Sequence, residues 1–505
     1  MTLDHTALIL AAASAVIAAP NARAETEPNK ADTPNVIFIL ADDAGIADFG
    51  CYGGKIIHTP NIDKLAAEGM KFTNHYSGST VCAPSRCCLM TGKHTGHATV
   101  RGNSKNTLDA DDATVADLFK KAGYATAAIG KWGLGDKPDG QGSPNKHGFD
   151  LFFGYLNQGK AHHYYPDYLW KNGKKIEFPD NPTKRTKYSH DLFTKEALDF
   201  IENNKKKPFF LYLAYTIPHS DLDVPKDSMA PYRGKLEPEK PYKGKAKHGF
   251  PAVPQPTPHA AYAGMISRMD RDIGRIVALL DKLKIADNTI IFFSSDNGPS
   301  KGSGADPEFF DSNGPHRGIK RDLYEGGVRC PFIVKWPAAI KPGTTTDHLS
   351  AFWDFLPTIA DILGQSPTEG IDGISYLPTL LGHPEKQRKH KYLYWEFYEQ
   401  GGKQAIRMGK WKAVRLDVKE NPDAPLELYD LETDPAETKN VAKEHPEIVQ
   451  KLADAMKRAH SPSDKYSFKE KSKQKKGKKR KKKDKKSPSD AETAAARHSD
   501  PPPDA

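Results

Sequence analysis

No stretch of the 505-residue chain runs to 18 uninterrupted apolar residues, so nothing in it reads as a transmembrane helix. It has no internal repeat, which removes the solenoid and propeller arrays from consideration. Cysteine is scarce: Cys51, Cys82, Cys87, Cys88 and Cys330 are all there is. Adjacent Cys87 and Cys88 rarely bridge each other, so buried free thiols are the expected state. The body also lacks net charge. Residues 1–464 carry only +1 of the chain's formal +10, so the pI near 9.0 describes the end of the chain and not its folded part. A nearly neutral body gives no footprint for nucleic acid.

The two ends are distinctive. An apolar run, Ala7 to Ala19, precedes Ala22-Arg23-Ala24, a small-x-small cleavage pattern. The residues ahead of it hold Asp4 and His5 but no lysine or arginine. The run is too short to span a bilayer and reads as an export signal over residues 1–24, implying a periplasmic or secreted protein. At the other end, Lys465 to Lys486 holds 14 basic and 2 acidic residues. Such a run cannot bury apolar surface, so a disordered Lys-rich tail is expected over 463–505. Its charge suits contact with a polyanion through residues 465–486.

Between the ends, short β-branched runs stop at polar residues. Val36 to Leu40 leads into Asp42-Asp43, Tyr124 to Ile129 into Gly130-Lys131-Trp132, Phe209 to Tyr215 into Pro218-His219, and Ile290 to Phe293 into Asp296-Asn297-Gly298. Helical patterns separate them: Ile62 to Glu68, Val115 to Lys121, Thr194 to Asn203 and Ala261 to Leu283. Near-continuous apolar strands alternating with helices predict an α/β fold, a large mostly parallel sheet sandwiched by helices. Ligands of such sheets collect beyond the carboxyl ends of the strands, where each polar pair above falls. After the Gly- and Pro-rich stretch Gly364 to Pro384 the pattern changes to alternating strands, Tyr392 to Tyr398, Gln404 to Leu416 and Glu427 to Tyr429, with a turn at Gly401-Gly402. A last amphipathic helix follows, about Pro446 to Ala459. This predicts a catalytic domain over 25–370 and a smaller antiparallel α+β subdomain over 371–462.

Cys82-Ala83-Pro84-Ser85-Arg86, followed by Leu89, Thr91 and Gly92, resembles the signature of the type I sulfatases, the arylsulfatase branch of the alkaline-phosphatase-like superfamily. The resemblance covers roughly residues 33–460. It implies that Cys82 is oxidised after translation to formylglycine (3-oxoalanine) by a formylglycine-generating enzyme. The aldehyde works as its hydrate: one hydroxyl attacks sulfur, and the other loses its proton so that sulfate leaves by C–O cleavage. That is covalent catalysis, one hard step split into two. Arg86 suits a fixed cation beside the hydrate.

Asp42, Asp43, Asp296 and Asn297 offer hard oxygen donors at two strand ends, a set that suits Ca²⁺ (or Mg²⁺) better than zinc. By the resemblance they bind one Ca²⁺ together with the residue derived from Cys82. Lys131, and Lys320 in the run Lys320 to Gly327, match the two lysines that hold sulfate oxygens in the family. His219 matches the histidine that contacts the ester, and an imidazole is suited to protonate the leaving oxygen.

The chain departs from the family at one position. Sulfatases commonly read Gly-Lys-Trp-His-Leu-Gly, and Gly133 stands where that histidine would be. The missing imidazole is the usual partner of the hydrate's second hydroxyl. His94, His97, His162 and His163 are the candidates to replace it. The expected activity is hydrolysis of sulfate esters, generically of aryl sulfates and by choice of sulfated carbohydrate, since His162 to Trp170 and Tyr392 to Tyr398 are rich in rings that could stack on sugars. Two alternatives compete: a phosphomonoester or phosphonate hydrolase of the same superfamily, and a polyanion-binding protein with an inactive site. The chain lacks the two-zinc set of histidines and aspartates that marks the phosphatase branch. Its intact Cys82, Arg86 and oxygen ligands speak against a dead site.

Overall fold

In the computed structural model, residues 33–246 and 252–469 are described. The expected export signal and all but the start of the Lys-rich tail lie outside them. Ten strands form the main sheet, in the spatial order Thr344–Thr346, Met70–Phe72, Phe332–Lys335, Thr289–Ser295, Asn35–Asp42, Phe209–Pro218, Ala125–Lys131, Leu151–Tyr155, Tyr168–Lys171 and Lys174–Glu177. The five strands from Thr289–Ser295 to Leu151–Tyr155 run parallel. Antiparallel strands flank them on both sides.

Alternation along the central strand divides the core. Val36, Phe38 and Leu40 join one apolar cluster and Ile37, Ile39 and Ala41 another, and none exceeds 1% exposure. The helices Cys82–Thr91, Val115–Lys121 and Phe355–Ile362 supply the first face. Pro60–Ala67, Ser189–Asn204 and Pro258–Lys282 supply the second. Burial on both faces is what makes these strands apolar throughout.

A four-stranded antiparallel sheet follows: Leu393–Phe397, Lys403–Met408, Trp411–Arg415 and Glu427–Asp430. The run Gln404 to Leu416, expected as one strand, is two. Gly409, at φ +59°, and Lys410 make a two-residue turn between Met408 and Trp411, which pair across it. Periodicity misses such a hairpin because strand alternation resumes at once. One face of this sheet packs on helix Pro446–Ala459 through Tyr394, Ile406, Leu428, Leu452 and Met456. The other carries Trp395, Phe397 and Val414 into the main core, and Trp395 Nε1–H donates to Ser77 O at 3.0 Å.

The chain stays packed past the expected tail boundary at 463. Tyr466 is buried, its hydroxyl 2.8 Å from Ser104 Oγ, and Phe468 stacks on Tyr398 at 4.3 Å. Two aromatic rings among lysines still find apolar surface, so packing reaches at least Phe468. All five cysteines are free thiols. Among the described residues no helix is long and apolar enough to cross a membrane.

Candidate active site

The carboxyl ends of the parallel strands bring the expected residues together. Asp42 ends the central strand, and Asp43 follows in the left-handed region at φ +65°. Asp296 and Asn297 follow Thr289–Ser295, Lys131 ends Ala125–Lys131, and His219 follows Phe209–Pro218. Helix Cys82–Thr91 points its first residue at this cluster, and all ten of its residues are buried. The ligand atoms of Asp42, Asp43, Cys82 and His219 lie within 4.8 Å of one another.

Cys82 Sγ lies 3.3 Å from Lys320 Nζ and 3.7 Å from Asp42 Oδ1. Burial pushes its thiol up to about 11 against the pull of Lys131 and Lys320, so the unmodified side chain is no thiolate at neutral pH. One turn on, Arg86 donates from Nε and Nη2 to Asp296 Oδ2 at 3.1 and 2.8 Å, and from Nη1 to Lys131 O at 2.7 Å. Lys131 Nζ meets Asp42 Oδ2 at 2.6 Å, and Lys320 Nζ meets both oxygens of Asp43 at 2.6 and 2.7 Å.

Three carboxylates and three cations are thus shut away from water. Burial works against ionisation of Asp42, but Lys131, His219, Arg86 and Lys320 outweigh it and hold the carboxyl well below its usual range. Asp296 goes the other way, up to about 6, through burial and the neighbouring Asp42 charge. Asp296 is the acid that the three side-chain cations leave least satisfied, and a further positive charge beside it would bring it down.

A hard divalent cation fits that need. Asn297 Nδ2–H donates to Asp43 Oδ1 at 2.8 Å and to Gly298 O at 2.9 Å, while Asn297 Oδ1 is buried with no hydrogen-bond partner. An orphaned amide oxygen beside three carboxylates is an acceptor awaiting a ligand. His219 Nε2 is 3.2 Å from Asp43 Oδ2, and Nδ1–H donates to Ser220 O at 2.9 Å. Burial pushes this imidazole down to about 4, so it is neutral at pH 7.

The four histidines considered for the place of Gly133 separate. His94 and His97 lie beyond the far end of helix Cys82–Thr91, about 15 Å along its axis from Cys82, and share Asp372. His163 is buried 3.6 Å from Asp221. His162 stacks on His219 at 4.5 Å.

Support comes from residues that the sequence gives no reason to bring together. Ala83 N–H donates to Asn103 Oδ1 at 3.0 Å, beside Cys82. Arg321 N–H donates to Thr80 Oγ1 at 2.8 Å, which ties the Lys320 segment to the start of the Cys82 helix. Glu325 pairs with Lys412 of the second sheet at 2.8 Å, both fully buried, and Glu437 accepts from Glu325 N–H at 2.7 Å. The second sheet therefore anchors the segment that delivers Lys320.

Comparison with known proteins agrees with this geometry. The family model Sulfatase matches residues 34–365, and N-sulphoglucosamine sulphohydrolase, C-terminal, matches 316–461. An N-acetylgalactosamine-6-O-sulfatase of Bacteroides thetaiotaomicron is 31% identical, over 84% of this chain and 92% of its own. The solved structure of Ps i-CgsB in complex with k-i-k-neocarrahexaose has 31% identity and a TM-score of 0.71, over 84% of this chain and 92% of its own. BT4656, solved with its substrate D-glucosamine-2-N,6-O-disulfate, has 27% identity and a TM-score of 0.67, over 85% and 98%. With the signature helix, the oxygen-ligand cluster and matches over most of its length in agreement, the chain belongs to the sulfatases, sulfuric ester hydrolases of the alkaline-phosphatase-like superfamily.

Proposed function

We propose that the chain hydrolyses sulfate esters of carbohydrates, using formylglycine derived from Cys82 and one Ca²⁺ (or Mg²⁺) bound by Asp42, Asp43, Asp296 and Asn297. The observation that carries the mechanism is the seat of Cys82: first residue of a buried helix, its Sγ between Lys320 and Asp42, in a cluster of three cations and three carboxylates. The choice of carbohydrate rests on three of the relatives, whose printed names or ligands are N-acetylgalactosamine, a neocarrahexaose and a disulfated glucosamine.

The aldehyde hydrate supplies one hydroxyl to take up the sulfuryl group and a second whose deprotonation releases sulfate. The cation supplies fixed positive charge for the ester's oxygens. The side chains do the rest. Arg86 spans Asp296 and the Lys131 carbonyl and so locks the end of the Cys82 helix to two strand ends. Lys131 and Lys320 balance Asp42 and Asp43 and place two ammonium groups where a sulfate's negative oxygens would be held. His219, through Nε2, faces the reacting centre. Neutral in the free site, this ring must first gain a proton on Nε2, which a developing negative charge beside it would favour, before it can protonate the leaving oxygen.

A release assay over defined sulfated saccharides, run on the mature enzyme, tests the substrate class. Sulfate release from at least one sulfated sugar with kcat/KM above that for an aryl sulfate is expected. Turnover of phosphate or phosphonate esters alone would move the chain to the alternative hydrolase reading.

We also propose export by the leader and polyanion contact by the tail. Removing residues 470–505 should leave aryl-sulfate turnover unchanged but make the protein elute from heparin at lower salt, because exposed charges are screened beyond about 8–10 Å. Removal from residue 465 should also cost about 2 kcal/mol of stability, since Tyr466 and Phe468 go with it. Equal salt elution for full-length and shortened protein would leave the tail a bystander.

A further inference from the structure

Helix Cys82–Thr91 starts without a cap of its own. Its N-cap residue is Val81, in extended backbone at φ −145°, and valine carries no acceptor. Helix starts leave N–H groups that something else must satisfy. Here Pro84 has none to offer, and Ser85 N–H returns to Val81 O at 3.3 Å. Ala83 N–H is met from outside, by Asn103 Oδ1 at 3.0 Å. Among the described residues no other side chain accepts from this first turn.

The loop that carries Asn103 is held on both sides of it by the closing segment of the body. Arg101 is buried, and its Nη1–H donates to Ser461 O at 2.7 Å. The Tyr466 hydroxyl donates to Gly102 O at 3.3 Å and lies 2.8 Å from Ser104 Oγ. The Tyr466 ring also packs on Gly102, where a Cβ would stand 3.2 Å from Cε1. Asn103 therefore sits between two residues tied to Tyr466. On the other flank of Cys82, Thr80 is fixed by Arg321 N–H, which donates to Oγ1 at 2.8 Å and to O at 3.1 Å. The backbone on either side of the reacting residue is thus pinned by a distant segment.

We infer that Asn103 is a positioning residue for the reaction. By capping Ala83 it sets the direction in which residue 82 enters the cluster of Lys320 and Asp42, and Tyr466 acts through it. The inference rests on the formylglycine reaction proposed above. One cap matters little to a fold of this size, whereas a reacting group displaced by about 1 Å can cost on the order of 10²-fold in rate.

Four variants test this on a small aryl sulfate, with kcat taken per chain whose Cys82 peptide shows conversion and with a melting curve for each. Asn103→Ala should lower kcat about 10- to 100-fold and leave KM within about twofold, because the lost bond touches no substrate. Asn103→Asp keeps an acceptor of the same reach and should recover most of that kcat. Tyr466→Phe, which keeps the ring, should lower kcat by a smaller factor. Combined with Asn103→Ala it should lower kcat no further than Asn103→Ala alone. A lower melting point with kcat unchanged in Asn103→Ala would reduce Asn103 to a contact that only stabilises the fold, and overturn the inference. A rise in KM with kcat kept would make it a substrate contact, and Asp no better than Ala would show that the acceptor is irrelevant. Additive losses in the double variant would detach Tyr466 from Asn103. Each of these overturns the inference equally. If wild-type turnover proves independent of Cys82 conversion, it is the reaction that fails, whatever the Asn103 variants do.

Discussion

Cys82→Ser is expected to lower sulfate-ester turnover by about 10³-fold or more while the protein folds and keeps its metal. The reasoning is chemical before it is structural. Serine has one hydroxyl, so a sulfuryl group transferred to it has no second hydroxyl on the same carbon to drive it off. Sterically the exchange is small: Cys82 is the first residue of its helix and its Sγ touches Lys320 and Asp42 at ordinary polar distances, where a hydroxyl is at least as well received. Circular dichroism and denaturant midpoints close to wild type, with activity near background, are the expected pair of results. Full activity in the serine variant would mean that a single hydroxyl suffices.

If Asp296 holds the proposed cation, Asp296→Ala should weaken metal retention and lower turnover by roughly 10²-fold or more, since a metal acting on the charge of the transition state contributes several kcal/mol. Two further losses reinforce it. Arg86 loses the partner of Nε and Nη2, and Asp43 N–H loses its acceptor at 3.2 Å. Arg86 keeps only the longer pair with Asp42 Oδ2, 3.4 Å from Nη2, and the Lys131 carbonyl; weakening a buried ion pair is costly by itself, so a melting measurement must accompany the assay. Chelation of the wild-type enzyme separates the effects: activity should fall, and Ca²⁺ or Mg²⁺ should restore it better than Zn²⁺. Two zincs per chain by elemental analysis would favour the phosphatase branch instead.

Much of this site can be read from the sequence because of where its residues stand. Asp42-Asp43, Lys131, His219 and Asp296-Asn297 each close an apolar run, and runs that are apolar throughout predict parallel strands whose carboxyl ends converge. What supports the site leaves no such trace. Lys412 and Glu437 are buried charges far along the chain from Glu325, which they meet, and in a sequence each of the two looks like a solvated surface residue. Gln158 is equally silent: it donates to Gly133 O at 3.3 Å, in a place open only because that position has no side chain, a Cβ there lying 2.3 Å from Gln158 Nε2. The packed end at Tyr466 and Phe468 was hidden for the opposite reason: the lysines around them dominate the composition.

The central claim is that Cys82 works only after conversion. Mass spectrometry of the peptide carrying Cys82, in preparations with differing extents of conversion, tests it most directly. Activity per milligram should rise in proportion to the fraction of peptide that has lost sulfur to the aldehyde, and extrapolate to zero at zero conversion. Full activity in protein whose Cys82 peptide is entirely unmodified would contradict the account.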